Sequence, residues 1–464
     1  MRTLTLLVLC CLTAVQCCHK KRETSSSEVS DVNDETNVAV KSKEPLFLTP
    51  YIEQGFIEEG RRAAEVNSEL FLNTTSYSGF FTVNYTYNKN LFGWFIPSKN
   101  PDDPIMLWLQ GGPGLTSMFG LFAEMGPFKI ENDTLELRET SWTNAHSILY
   151  IDNPVGTGYS FTEEKGLARD EVQVAEELYE ALRQFFLLFP EIRQNEFFVA
   201  GESYAGKYVP VIAHAIFKKN ENLPDSFKIN LKGVIIGNGW LDPVNQMDIG
   251  EYAFQHGLVD INTKTTMDQY RDESIVLLRQ GKFVESTLVQ RKISSLLKNA
   301  SGYENMYNYL YPGKQQTEAI MTNFVQKPEV RTAIHVGNLT FNPDEPVDTA
   351  LLGDVMISVA DKLIDLLANL RVLIYSGQLD LAVPYPTTVN YLLNLKFDSA
   401  EEYRVATRDI WYRDGGIAGY VKRAGNLTEV MVRNAGHLVP SDQPEVAFDL
   451  IRAFTRNENI TISI

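Results

Sequence analysis

The feature that most restricts the fold of this chain is a serine set between small residues, behind an apolar run and ahead of a helical pattern. Phe197-Phe198-Val199-Ala200 leads into Gly201-Glu202-Ser203-Tyr204-Ala205-Gly206, and residues 208–218 carry helical periodicity. A strand that turns sharply into a helix crowds the serine backbone, so its flanks must be small. In return the hydroxyl stands clear of the sheet. The second small position of the G-x-S-x-G spacing is Ala205, with Gly206 one place later. Glycine-flanked serines also mark ordinary turns, so the rest of the chain decides the reading.

Several short apolar runs end in Gly, Pro, Asn or Asp, as buried parallel strands do. They occupy residues 105–109, 148–151, 197–200, 233–236, 372–375 and 430–432. Helical patterns over 170–188 and 208–218 separate some of them. Alternation of this kind predicts an α/β fold, an open and mostly parallel sheet with helices on both faces. Ligands then bind beyond the carboxyl ends of the strands. Residues 243–350 break the alternation with amphipathic helical sequence at 275–278 and 288–297, which reads as a cap inserted over the site.

The ends and the composition bound the setting. Arg2 precedes an apolar run over 4–15 that is too short to span a bilayer, so residues 1–18 read as a signal peptide. All four cysteines (Cys10, Cys11, Cys17, Cys18) lie in or beside it, leaving the remainder without an internal disulfide. Residues 19–45 are Ser- and acid-rich and read as a disordered tail or propeptide; residues 46–464 form the main domain. Glycosylation triplets at Asn73, Asn84, Asn132, Asn299, Asn338, Asn426 and Asn459 agree with passage through a secretory pathway, to a secreted or lysosomal/endosomal destination. The net charge of −17 argues against nucleic acid as a partner, because phosphate binding needs a basic face. No further apolar segment suggests a membrane anchor.

A serine nucleophile needs a base, the base an orienting carboxylate, and the transition state oxyanion donors. Downstream of Ser203, the run at 372–375 enters Ser376-Gly377-Gln378-Leu379-Asp380, and the run at 430–432 enters Arg433-Asn434-Ala435-Gly436-His437. Asp380 and His437 therefore follow Ser203 in the Ser, Asp, His order of α/β hydrolases, each in a loop after a strand. His437 takes the serine proton and Asp380 fixes its tautomer in this reading. The remaining histidines (His19, His146, His214, His256, His335) read as structural. Upstream, Gln110-Gly111-Gly112-Pro113-Gly114 follows the run ending at Leu109. Such a loop also suits a phosphate cradle or a plain turn, but no G-K-[ST] follows. It is assigned the oxyanion hole, with the N–H groups of Gly112 and Tyr204. No cofactor or metal is called for.

These blocks together resemble the serine carboxypeptidases, and within them the vitellogenic carboxypeptidase-like branch. The resemblance rests on residues 108–114, Asp152-Asn153-Pro154-Val155-Gly156-Thr157-Gly158-Tyr159-Ser160, residues 201–206, Ile236-Gly237-Asn238-Gly239, residues 376–380 and Ala435-Gly436-His437-Leu438-Val439-Pro440. It covers the chain from about Pro45 onward. It implies an α/β-hydrolase fold with a helical insertion, and an exopeptidase acting at acid pH on peptide or protein C-termini. By resemblance, the substrate's terminal carboxylate is held by Gln110, Gly111, Glu124 and Glu202, with Trp108 supporting that network, and a homodimer is a common state. Two glutamates can hold a carboxylate only if they keep protons, since like charges at contact raise pKa values.

The chain departs from the family pattern at several places. Gln110 stands where Asn is usual, Leu115-Thr116 where Cys-Ser is usual, and Leu438 where Met is common; Tyr303 and Pro312 fall where relatives carry cap cysteines. Two other functions stay open on sequence: an acyltransferase or esterase on the same scaffold, and a non-catalytic secreted yolk or storage partner.

Overall fold

The computed structural model describes residues 44–314 and 316–460. The expected leader, with every cysteine, and all but the last two residues of the expected tail lie outside them. Among the described residues twelve strands form: β1 (Tyr77–Asn84), β2 (Lys89–Ile96), β3 (Ile105–Leu109), β4 (Phe128–Glu131), β5 (Thr134–Leu137), β6 (Ser147–Ile151), β7 (Phe197–Glu202), β8 (Leu231–Gly237), β9 (Arg371–Gly377), β10 (Asp409–Arg413), β11 (Gly416–Ala424) and β12 (Leu427–Val432). β4 and β5 make a separate hairpin. The other ten build one sheet in the order β1-β2-β6-β3-β7-β8-β9-β12-β11-β10.

Neighbours from β6 to β12 pair in parallel, which is the expected α/β architecture. Their sequences explain it. β3, β6 and β7 are buried at every position, as strands covered on both faces must be. The sequence reading missed the flanks. β1 and β2 add antiparallel strands at one edge, and β11 and β10 do so at the other.

Helices close both faces. The helix Glu171–Leu188 starts at Asp170, whose side chain accepts from the Gln173 N–H. It buries Val174, Leu178, Ala181, Leu182 and Phe185, one apolar stripe at helical spacing. Together with the helix Ala205–Asn220 it covers one face of the sheet. The helix Pro444–Thr455 belongs to the core on the other face, where Phe454 meets Phe198 with ring centroids 6.2 Å apart, and the same core buries Trp94, Trp108 and Trp142. Each large apolar side chain buried in this way contributes about 1.5–3 kcal/mol, and among the described residues no cysteine is present to add a crosslink.

Between β8 and β9 the chain leaves the sheet for a helical insertion that includes Ile249–Gln255, Ile261–Arg279, Phe283–Ser301, Thr317–Val325 and Pro328–Ala333. Both amphipathic patches expected at 275–278 and 288–297 fall inside these helices. The insertion has its own core of Ile249, Tyr252, Met267, Ile293, Leu297 and Met306, and Leu381 joins it. The loop between Tyr303 and Pro312 is closed by backbone hydrogen bonds, Glu304 N–H to Pro312 C=O at 3.0 Å. No helix among the described residues is long and apolar enough to cross a membrane.

The path of the chain fixes where a site forms. From β3 it passes to β6 on one side and then to β7 on the other, so the crevice beyond the carboxyl ends of β3 and β7 is the switch point of the sheet. Leu109 pairs with Gly201, which brings Gln110 and Gly111 alongside Glu202 and Ser203.

Candidate active site

Ser203 occupies that crevice with φ at 61°, a left-handed conformation that strains any residue but glycine. Close packing holds it there. A Cβ on Gly201 would lie 2.7 Å from the Ala205 Cβ, and one on Gly206 would lie 2.7 Å from Trp240 N. The Ser203 N–H donates to Gly237 C=O at 3.0 Å, and its own C=O accepts from Trp240 N–H at 2.9 Å. These bonds tie the turn to β8 and the loop after it.

Asp380 and His437 come together from the loops after β9 and β12. His437 Nδ1 lies 2.7 Å from Asp380 Oδ2, and both side chains are buried. Asp380 is saturated by donors: Asn238 Nδ2 at 2.7 Å and Val383 N–H at 3.2 Å on Oδ2, and Ala382 N–H at 2.7 Å on Oδ1. These bonds hold the carboxylate in place, with Oδ2 facing the imidazole Nδ1. On the other side of the ring, His437 Nε2 is buried and has no hydrogen-bond partner among the described residues. His437 and Ser203 line one cavity of about 270 Å³. The bond from serine to base is not made in this state; such bonds often tighten only around substrate.

The glycine-rich loop lies against Ser203. A Cβ on Gly111 would sit 2.7 Å from both Ser203 Cβ and Tyr204 N, so no other residue permits that approach. The N–H groups of Gly112 and Tyr204 have no protein acceptor among the described residues. They are therefore available to an oxygen on the reacting carbon.

The predicted carboxylate-binding residues form one buried network. Trp108 Nε1 donates to Gln110 Oε1 at 2.9 Å, which directs the Gln110 amide Nε2 to Glu124 Oε1 (3.0 Å) and Glu202 Oε1 (2.8 Å). Burial raises Glu124 to about 7, while its Glu202 and Gln110 neighbours pull it part of the way back. Burial, and then the Glu124 charge, push Glu202 well above the usual carboxylate range. Two acids sharing one amide donor in a dry site cannot both ionise cheaply, so the pair holds protons into the neutral range. Gln110 and Glu202 face the same cavity as Ser203, as do Phe119, Met306, Tyr307 and Leu438.

Several contributors were not read from the sequence. Asn238, at φ 43°, donates to Asp380 and accepts from the Gly377 N–H at 3.2 Å. Its motif was visible, but its partner lies 142 positions away. Tyr307 of the insertion stacks on His437, with ring centroids 4.9 Å apart and planes 13° from parallel; no local pattern marked it. Thr116, one of the residues standing where Cys-Ser is usual, hydrogen-bonds Asp152 Oδ1 at 2.5 Å. Asp152 also receives Tyr159 and Ser117 N–H groups, and burial holds it up at about 6. Beneath Tyr204, Lys207 and Asp354 form a buried ion pair. The other histidines in the described residues lie outside the site. His146, for example, is bonded to Thr455 and held down at about 4 by burial. All seven glycosylation-triplet asparagines are at the surface, although the Asn426 amide donates to Leu367 C=O.

Comparison with known proteins returns one consistent result. A profile described as Serine carboxypeptidase matches residues 66–457. The chain is 49% identical over 428 residues to the venom serine carboxypeptidase of Apis mellifera, covering 89% of this chain and 91% of that protein. It is 43% identical over 430 residues to the vitellogenic carboxypeptidase of Aedes aegypti, covering 89% and 90% respectively. A human protein named probable serine carboxypeptidase CPVL is 44% identical, with the same coverage. The solved structure of Kex1(delta)p, a prohormone-processing carboxypeptidase from Saccharomyces cerevisiae, superposes with a TM-score of 0.78. It is 24% identical and covers 86% of this chain and 96% of its own, which establishes the shared fold.

Proposed function

The chain belongs to the serine carboxypeptidase family and is a serine-type carboxypeptidase acting on peptides; from that premise we propose that Ser203, His437 and Asp380 carry the reaction. The observation that supports this most is the contact of 2.7 Å between His437 and the buried Asp380, with His437 and Ser203 lining one cavity. Ser203 Oγ attacks the carbonyl of the last peptide bond and His437 Nε2 accepts its proton. The developing oxyanion rests on the Gly112 and Tyr204 N–H groups. The protonated imidazole, steadied by Asp380, returns the proton to the leaving amine as the C–N bond breaks. Water then attacks the acyl-enzyme by the same route and frees Ser203.

Gln110, Gly111, Glu124 and Glu202 bind the terminal carboxylate and so confine the enzyme to chain ends, with Trp108 aiming the Gln110 amide. A proton on the acid pair makes a donor for that carboxylate, and its loss brings repulsion; acidic pH is therefore the working range. The helical insertion at 243–350 acts as a cap over the cavity. The leader and the surface glycosylation triplets support passage through the secretory pathway to a secreted or lysosomal/endosomal destination, with residues 19–45 as a removable tail and a homodimer as the working state. Incubating a blocked peptide with enzyme from pH 4 to 8 and reading products by mass tests the assignment. Stepwise loss of single C-terminal residues, strongest below pH 7, is expected. Release of an ester alcohol without any peptide cleavage would favour the acyltransferase or esterase reading instead.

A further inference from the structure

The segment 306–309 of the insertion reaches across the sheet end and touches both loops that carry the base and its acid. Leu381 N–H donates to Met306 C=O at 3.0 Å, and Tyr309 N–H donates to Leu379 C=O at 3.1 Å, one bond on each side of Asp380. His437 N–H donates to Tyr307 C=O at 2.6 Å. Asn308 Nδ2 donates to Asp442 Oδ2 at 2.9 Å, the same oxygen that receives the Gly436 N–H at 2.7 Å. The fit has no slack, since a Cβ on Gly436 would lie 2.7 Å from the Asn308 Cβ. Within this clip the Tyr307 ring lies flat against the imidazole, is itself 40% exposed, and lines the cavity.

Asp380 fixes one nitrogen of His437 but leaves the ring free to tilt about that bond. A flat neighbour removes the tilt and keeps Nε2 aimed into the cavity. When the imidazole takes the Ser203 proton it becomes a cation over an aromatic face, an attractive arrangement in a water-poor site. We infer that Tyr307 is a positioning residue for His437, holding the ring plane and stabilising the imidazolium, and that segment 306–309 makes the insertion a structural part of the catalytic base. The inference rests on the triad proposed above.

The charged groups around His437 must be kept constant in any test. Asp380 contacts it directly, while Glu124 and Asp442 act on it through space. Glu202, Glu304, Glu318, Lys298 and Lys314 line the same cavity. A blocked dipeptide ester lacks the terminal carboxylate, which removes the acid pair's substrate contact from the measurement. With it, Tyr307→Phe should stay within about twofold of wild type, because the ring face is kept. Tyr307→Leu should lower kcat about tenfold with little change in KM. Its acid limb of kcat/KM should move to lower pH, because an imidazolium without the ring face gives up its proton more readily. Incorporating pentafluorophenylalanine at 307 keeps the shape and reverses the ring electrostatics, so it should move the limb the same way even if Tyr307→Leu does not fold. A wild-type limb in both variants, or equal kcat loss in Phe and Leu with no limb shift, overturns the inference. His437→Ala and Asp380→Asn in the same assay separate the two readings. If they keep full activity the triad fails; if they are inactive while Tyr307→Leu matches wild type, only the role of Tyr307 fails.

Discussion

Removing the charge from Glu124 should make recognition of a substrate carboxylate independent of pH. Glu124 is buried against Glu202 and Gln110, and burial lifts it to about 7. At pH 6 a group with that pKa is about nine-tenths protonated, and at pH 8 about one-tenth. If the neutral pair is the form that binds a carboxylate, KM for a free-acid peptide should rise about tenfold between those values, or about 1.4 kcal/mol. Burial and the Glu124 charge push Glu202 in the same upward direction, so it does not change the sign. The ester of the same peptide carries no terminal charge, so its KM should stay flat. Glu124→Gln keeps an amide of similar shape that cannot ionise, and with it the free-acid KM should be flat too. The assay is steady-state hydrolysis of the matched acid and ester from pH 5 to 8 by wild type and variant. Acid and ester KM values that rise together, or a rise that persists in Glu124→Gln, would refute the reasoning.

Three further outcomes follow from the geometry. Asp380→Asn keeps the volume but favours the wrong His437 tautomer, and kcat should fall about 10⁴-fold. Because both oxygens accept N–H donors, the new NH2 faces one of them and the melting temperature should fall as well; circular dichroism melts beside kinetics check both. Asn238→Leu strips Asp380 of one donor and leaves the Gly377 N–H unmatched; urea titration should show a loss of about 1–3 kcal/mol. Stability should also fall as pH rises from 6.5 to 8.5. Burial raises Glu124 to about 7 and Asp152 to about 6, so the folded state holds protons that the unfolded chain has already released. Below the unfolded carboxyl range the two groups contribute about 3 kcal/mol each; most of that is lost by pH 6.5, and about 1 kcal/mol, chiefly from Glu124, is lost between 6.5 and 8.5. His146, held down at about 4, works in the opposite sense, but only below its ordinary value near 6.5. A melting temperature that increases over the interval from 6.5 to 8.5 would contradict the account.

The legible parts of this chain were those in which local chemistry and global position agree. The central strands are fully buried and so read as unbroken apolar runs, and the elbow advertises itself by small residues that packing makes obligatory. The order of Ser203, Asp380 and His437 followed once those strands were seen. The sheet edges were less legible. β10 is mostly exposed, with Asp409 and Arg413 at its ends, so its sequence carries no buried-strand signal. β2 is buried throughout, but it opens with Lys89 and Asn90, whose burial depends on partners elsewhere; Lys89 pairs with Glu177. Asn238 and Tyr307 were hidden for a similar reason. Each contacts a residue of the proposed triad more than a hundred positions away, through a contact that only the folded topology creates.

The central claim is that Ser203 is the nucleophile and His437 its base. Reacting the enzyme with a phosphonofluoridate and mapping the adduct by mass tests it directly, because such reagents trap an activated serine. The account predicts one adduct, on Ser203, and none in His437→Ala. An adduct on another serine, or labelling of Ser203 that is undiminished without His437, would contradict it.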